Sequence, residues 1–351
     1  PEDGNPPFKS VVITPGFGGG SSSMSSWGAF FASHGFTALI IGPNDEINDS
    51  HQQRGEGLID GIETVRQENN RFSSPLYGLI DTESFTVSGY SMGGGASFLA
   101  ADSLCMNGNA QLKTIIGLAP AESSSNGVSS IASAVNITVP SLILSGSQDG
   151  VTPPSVHHIP LYDSLASNFK TFISIIGGAH CYFSNPSFTC DFGESASSTG
   201  ISISRAEQQA ITYDFLNLWL DYTLKDDCTD FFEFQDSLDT SSSIDYNQTN
   251  TEVEIMFPQS KWAPKSTLMA AYAYYSQDYY YDASEELKMF IKKYPNHPDV
   301  DYAHYLLGIT YYEQIVDEKK DLKSIMLSKE KFQYVIKNFP ATDYALDSKF
   351  K

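Results

Sequence analysis

Residues 83–102 read ESFTVSGYSMGGGASFLAAD, and the rest of the first segment is best understood outward from them. The run Ser84–Ser88 predicts a buried strand, and the small residues from Met92 onward predict a helix. Between them stands Gly89-Tyr90-Ser91-Met92-Gly93. A strand-to-helix turn this sharp holds its central residue in strained backbone geometry, and flanking glycines remove the Cβ atoms that would clash. Ser91 is thereby presented above the edge of a sheet, where a nucleophile belongs.

Strands and helices alternate on both sides of this turn. Upstream, Ser10–Thr14 (SVVIT) reads as a buried strand ended by Pro15 and Gly16, Trp27–His34 as a helix, and Thr37–Ile41 as a second strand. Residues 54–69 place Leu58, Ile59, Ile62 and Val65 on one helical face. Downstream come strands at Thr114–Leu118, Pro140–Leu144 and Thr171–Ile176, a helix near Leu161–Ala166, and a last helix from about Ala206 to Leu224. Apolar runs between amphipathic helices predict an α/β fold, a mainly parallel sheet with helices on both faces.

An alcohol needs a base to take its proton and a carboxylate to fix the base's tautomer. Asp149, in Gly146-Ser147-Gln148-Asp149-Gly150, follows the apolar strand and stands where the acid is expected; His180, in Gly178-Ala179-His180-Cys181, follows the next strand and stands where the base is expected. Asp163, Asp191 and Glu194 are the reserve acids, while His34, His51, His157 and His158 are read as surface residues on helices. The developing oxyanion needs two backbone donors, expected from Met92 and from Phe17 in the loop Pro15-Gly16-Phe17-Gly18-Gly19.

Composition divides the chain. Residues 1–240 hold 8 Lys+Arg against 26 Asp+Glu, residues 241–351 hold 13 against 16, and 14 of the 20 tyrosines lie in the later part. A length of 351 residues also exceeds what one core usually supports, so two domains are expected. The acidic first segment disfavours nucleic acid and anionic lipid surfaces as partners. No apolar run is long enough to span a bilayer. A start at Pro1 fits a processed N-terminus. Cys181 and Cys190 lie in a Gly/Ser/Asn/Pro-rich stretch where a disulfide could close a short loop, worth about 2 to 3 kcal/mol and expected of an exported protein. Cys105 and Cys228 are unassigned. No metal cluster or phosphate loop is present in the sequence, so no cofactor is expected.

Residues 241–255 read as a polar linker and 256–351 as helical. Ala271, Tyr274 and Ala283 followed by Pro295 fit a tetratricopeptide repeat. A second repeat starts at Tyr302, with Leu307, Gly308 and Tyr311, takes extra residues around Asp317–Ser324 and ends at Pro340; a third begins near Tyr344.

VVITPGFGG, ASHGFTALII, the helix starting RGEGL, GYSMGGGAS, GSQDGVTPP and GGAHCYF together resemble the cutinase-like and PET-hydrolase-like polyesterases, with dienelactone-hydrolase-like proteins as more distant relatives. The resemblance implies an α/β-hydrolase fold for residues 1–240, a secreted or periplasmic bacterial location, and Ser91, Asp149 and His180 as the catalytic residues. It also implies Phe17, Met92, the region of Ala121, and Val151 as the substrate cleft. The chain departs from that family in reading Leu118-Ala119-Pro120-Ala121-Glu122 where an aromatic Trp clamp is usual. Its acid loop is one residue shorter, and Tyr90 replaces a common His. MFPQSKWAPKS, FIKKYPNHPDVDYAHYL, YYEQI and VIKNFPATDYALDSKF resemble the tetratricopeptide lipoprotein of the bacterial outer-membrane β-barrel assembly machine, implying a polypeptide partner for 256–351. The expected activity is therefore hydrolysis of carboxylic esters or polyesters through an acyl-enzyme. The alternatives are an envelope scaffold that binds protein through the repeats with a secondary or inactive hydrolase, or a peptidase on the same triad.

Overall fold

The run around Phe85 and Val87 forms the third strand in sequence and also the third position across a seven-stranded sheet. In a computed structural model, which describes residues 6–123, 127–225, 227–250, 263–315 and 322–351, the strands are β1 (Phe8–Thr14), β2 (Thr37–Ile40), β3 (Ile80–Tyr90), β4 (Leu112–Leu118), β5 (Ser141–Gly146), β6 (Phe169–Ile175) and β7 (Ile244–Asn250). Their spatial order is β2-β1-β3-β4-β5-β6-β7. The pairs from β2 to β6 are parallel, with Val12 opposite both Leu39 and Val87, and Leu118 opposite both Tyr90 and Leu144. Strands buried on both faces have no use for alternation, which is why β1 and β5 read as continuous apolar runs.

Two layers of helix cover the sheet. Leu58, Ile62 and Val65 of α2 (His51–Asn70) and Phe98, Ala101 and Leu104 of α3 (Met92–Met106) share one core with Val12, Val87, Ile115 and Ile143 of the strands, joined by Leu161 of α5 (His158–Ser164). Short α4 (Ser130–Ala134) lies between α3 and α5. Elsewhere, Trp27 and Phe30 of α1 (Ser25–Ser33) pack on Tyr213 of α7 (Arg205–Lys225), and Trp219 of α7 stacks on Phe169 and donates from Nε1 to Thr114 Oγ1 at 2.8 Å. The helix α2 begins with a reciprocal cap, Ser50 and Gln53 each bonding the other's backbone amide, which fixes where the chain turns in behind the Pro15–Gly19 loop.

Residues 241–255 are not simply a linker. The strand β7 occupies 244–250 and adds to the outer edge of β6, with Ile176 N donating to Ser243 O and the Gln248 side chain to Thr171 Oγ1, an antiparallel progression. The helix before it, α8 (Cys228–Thr240), sets Phe231 on Phe169 and Tyr222, and Phe234 on Trp219 and Phe215. Serine- and threonine-rich composition had masked a strand whose role is to pair an edge and not to fill a core. The remainder, 251–255, lies outside the described residues.

The chain divides into two compact units, Pro1–Thr249 and Asn250–Lys351. From Ala263 onward the regular elements among the described residues of the second unit are helices: α9 (Ala263–Ser276), α10 (Tyr280–Lys293), α11 (Val300–Glu313), α12 (Leu322–Asn338) and α13 (Asp343–Asp347). Successive helices pack on one another, as expected of tetratricopeptide-like repeats. Ala271 and Ala283 are fully buried, and a Cβ on Gly308 would come within 2.8 Å of the Phe332 ring, so the small residues mark the close crossings. Of the insertion expected at Asp317–Ser324, residues 317–321 lie outside those described, and 322–324 open α12. Among the described residues no helix is long and apolar enough to cross a membrane.

Candidate active site

Ser91 sits between the last residue of β3 and the first of α3 with φ 55° and ψ −120°, a left-handed conformation that a non-glycine residue adopts only when its surroundings impose it. Those surroundings are backbone. A Cβ on Gly89 would fall 2.0 Å from Gly93 O, one on Gly93 2.4 Å from Pro15 O and Thr14 O, and one on Gly95 2.0 Å from Ala121 O. Each glycine lets a neighbouring strand or turn close on the elbow. Ser91 N donates to Leu118 O and Ala121 N donates to Ser91 O, tying the turn to the end of β4, where Ala119 is also at positive φ.

His180 and Asp149 come to this point from the loops after β6 and β5. His180 Nε2 lies 2.9 Å from Ser91 Oγ, and His180 Nδ1 lies 2.7 Å from Asp149 Oδ2. The acid and base are 4% and 1% exposed, so their interaction is scarcely screened by solvent. Asp149 Oδ1 accepts from the amides of Val151 and Thr152, and Oδ2 accepts from Thr152 Oγ1. Burial alone pushes the Asp149 carboxyl up, but the His180 bond and charge, the nearby His158 and the Thr152 amide together hold it below its ordinary value. The structure thus brings Ser91, His180 and Asp149 into one hydrogen-bonded series. Of the reserve acids, Asp191 pairs with Arg205, and Glu194 accepts from the Cys181 amide.

Two histidines read as surface residues are buried. His158, fully enclosed, lies 4.0 Å from Asp149 Oδ2 and is pushed down to about 3 by burial. Its neutral ring bridges Ser145 Oγ at Nδ1 and Thr152 Oγ1 at Nε2. Because Thr152 donates its proton to Asp149, His158 Nε2 is the donor to Thr152 and Nδ1 accepts from Ser145. His51, 6% exposed, is lowered to about 4, again chiefly by burial. His157 is half-buried and accepts at Nδ1 from the Glu122 amide. Helical position predicted exposure for these rings, but α2 and α5 turn their first residues inward. Thr152 was legible in principle, since an aspartate followed at the third position by threonine is a turn signature. No local pattern marks His158.

Unfolded, each histidine would titrate near 6.5; folded, His158 and His51 take a proton only near 3 and 4. The unfolded chain therefore binds more protons below about pH 6.5, and stability rises with pH through that window. Asp149 adds the same sign at lower pH, its contribution present above the ordinary carboxylate value and lost beneath it. The urea midpoint is expected to fall steadily from pH 7 to 5, and a His158→Gln protein to show a shallower fall; an identical slope in that variant would contradict the assignment.

Beyond the base, Cys181 and Cys190 form a disulfide that links the His180 loop to α6 (Phe188–Ser197). Tyr90 OH lies 3.3 Å from Cys190 Sγ, and the Tyr90 ring lies 5.1 Å from that of His180. The bridge and the tyrosine thus pack beside the imidazole and its loop. Reduction with dithiothreitol is expected to cost about 2 to 3 kcal/mol of stability and to lower turnover several-fold, read by thermal melting and ester hydrolysis before and after reoxidation.

Of the remaining expected residues, Met92 follows the serine directly, Ala121 N donates to its carbonyl, and Val151 adjoins the acid through its amide bond to Asp149. Met92 is the first residue of α3, whose opening amides have no acceptor inside the helix. A Cβ on Gly16 would lie 2.9 Å from Ser91 Cβ, which places the Pro15–Gly19 loop against the nucleophile, and Phe17 beside it is 63% exposed. Val151 is exposed, Met92 is buried, and Ala121 is half-buried. Among the described residues no group of three or more His, Cys, Asp or Glu could hold a metal ion.

A mainly parallel sheet covered on both faces, with a strand–serine–helix elbow facing an acid and a base from successive loops, defines an α/β-hydrolase domain. The family model described as PET hydrolase-like matches residues 1–197, and the chain belongs to that family. A second model, described as outer membrane lipoprotein, matches residues 229–351. Among relatives, Cutinase 1 of Thermobifida cellulosilytica is 31% identical over 177 residues, 50% of this chain and 62% of that protein. Cutinase of Thermobifida fusca is 31% identical over 177 residues, 50% of this chain and 54% of that protein. Outer membrane protein assembly factor BamD of Caulobacter vibrioides is 36% identical over 111 residues, 32% of this chain and 35% of that protein. The chain spans less than two thirds of the length of each.

Proposed function

We propose that the first unit is a serine carboxylic ester hydrolase that works through an acyl-enzyme. The observation that carries this reading is the series Ser91 Oγ, His180 Nε2, His180 Nδ1, Asp149 Oδ2, with links of 2.9 and 2.7 Å. Asp149 holds the proton of His180 on Nδ1, leaving Nε2 free to accept from Ser91 as the oxygen attacks an ester carbonyl. The amides of Met92 and Phe17 receive the charge that develops on the carbonyl oxygen. His180 then returns the proton to the leaving alcohol, and water repeats the sequence on the acyl-enzyme. Similarity to the cutinases supports esters as substrates, and Ala121 in place of an aromatic clamp favours soluble and aliphatic esters over aromatic polyesters. The disulfide supports an extracytoplasmic site of action.

A fluorophosphonate probe is expected to label one serine stoichiometrically, located to Ser91 by peptide mass mapping, and p-nitrophenyl butyrate to give a burst before steady turnover. Labelling elsewhere, or none in a folded protein, would sink the reading. Amide analogues of the same acyl group are expected to turn over far more slowly, which separates this activity from a peptidase.

The second unit supports a further reading, carried by its similarity to the lipoprotein family and by its packed helical pairs. We propose that residues 250–351 bind a polypeptide of the bacterial envelope. Removal of that unit is expected to leave ester hydrolysis intact while abolishing association with outer-membrane assembly components; unchanged association would end the idea.

A further inference from the structure

Arg54 is an arginine with almost no access to water. It is 2% exposed, on the second turn of α2, and burial is the main influence on its guanidinium, opposed by the charges of Asp49 and Glu46. Its Nε side faces Asp49 Oδ2 at 3.5 Å. Its Nη1 donates to two backbone carbonyls, Pro15 O at 2.8 Å and Gly16 O at 3.2 Å. A buried cation is costly, the more so here because Nε and Nη2 make no hydrogen bond among the described residues, so the two carbonyls at Nη1 are the hydrogen bonds the guanidinium makes.

The identity of the second carbonyl gives the arrangement its meaning. Gly16 C=O and Phe17 N–H belong to the same peptide group. When a charged donor binds the oxygen of an amide, electron density moves toward that oxygen and the N–H becomes a stronger donor, the same polarisation that strengthens hydrogen-bond chains. We infer that Arg54 is a positioning residue for ester hydrolysis, holding the Pro15–Gly19 loop against Ser91 and polarising the Gly16–Phe17 peptide so that the Phe17 amide meets the oxyanion as a charge-assisted donor.

Other contacts fit this role. Gly18 N donates to Glu46 O at 2.8 Å, so the loop preceding α2 grips the same turn one residue further on. The Ser50–Gln53 cap fixes the start of the helix that carries Arg54. Arg54 and Ser91 thus both meet the Pro15–Gly19 loop at Gly16, the guanidinium at its carbonyl and the serine at its α-carbon.

The inference rests on Ser91 as nucleophile and on the Phe17 amide as an oxyanion donor, and its test keeps the two apart. Arg54→Gln retains a neutral donor, and Arg54→Lys retains the charge with a different reach. For p-nitrophenyl butyrate, Arg54→Gln is expected to lower kcat about tenfold, a fraction of the 10² to 10³ lost with a whole oxyanion donor. KM should be unchanged, and the affinity for a boronic acid that forms a tetrahedral anion on Ser91 should fall in parallel. Arg54→Lys should fall between the two. In Arg54→Ala, methylguanidinium is expected to restore part of kcat, entering through the cleft of about 670 Å³ that Arg54 helps to line. A folded Arg54→Gln with kcat within twofold of native, or a loss carried by KM with boronate affinity intact, would overturn the assignment while leaving the hydrolase reading in place. Failure of both Arg54→Gln and Arg54→Lys to fold would overturn it too, reducing Arg54 to a scaffold residue. Fluorophosphonate that fails to mark Ser91 in the native chain would instead remove the reading beneath it.

Discussion

Ser91→Ala is expected to reduce the turnover of p-nitrophenyl butyrate by about 10⁶-fold, because the members of a catalytic triad act as a unit and losing the nucleophile alone costs about as much as losing all three. The residual rate would come from the oxyanion donors and from binding. The same change is expected to leave the melting temperature within a few degrees of native, since the elbow is held by glycine–backbone contacts that the substitution does not touch. Ser91→Gly carries the point further. Glycine accepts a φ of 55° without strain, so that variant is expected to melt at or above the native temperature while remaining inactive. A Ser91→Ala protein turning over at more than a hundredth of the native rate would refute the assignment.

The second large effect is expected from Asp149→Asn, a change of one atom. The carboxylate accepts from two amides at Oδ1, and from Thr152 Oγ1 and His180 Nδ1 at Oδ2. An asparagine can keep the amide bonds through its oxygen, but its NH₂ group then faces His180 and can only donate. The imidazole must shift its proton to Nε2, where it can no longer accept from Ser91. A loss of about 10⁴ in kcat follows from the wrong tautomer alone. Stability at neutral pH should fall as well, because an ionised carboxylate held below its ordinary value contributes stability throughout the range above that value. Asp163→Asn, by contrast, should leave kcat within twofold; a large loss there would shift the role of acid.

The hydrogen-bonded series of Ser91, His180 and Asp149 was legible because its signatures are local. A glycine-flanked serine between a strand and a helix, then an aspartate and a histidine after successive strands, each has a short signature, and fold order supplies the rest. The parallel sheet was legible for the same reason, in the unbroken apolar runs of β1, β4 and β5. What escaped was whatever depends on distance in sequence. His158 and His51 are buried by the docking of α5 and α2, which no window around either residue encodes. Arg54 looks like any charge on an amphipathic helix until its helix is placed behind the Pro15–Gly19 loop. The strand β7 has the composition of a linker because an antiparallel edge is held by backbone pairing, for which side chains need not be apolar. The disulfide between Cys181 and Cys190 was within reach, since their spacing and the loop-forming residues between them permit closure.

The similarity to the lipoprotein family begins at residue 229, whereas the first compact unit continues to Thr249. Family ancestry and physical boundary therefore disagree by the length of α8 and β7, and this decides how the hydrolase can be expressed by itself. A protein cut at residue 228 or 240 would leave β6 with a row of unpaired amides and carbonyls, an open template for the same edge of another molecule. Such a protein is expected to form soluble oligomers or inclusion bodies, while one ending after Asn250 should elute as a monomer. The segment matched to the second family thus supplies the strand that keeps the sheet of the first unit from growing.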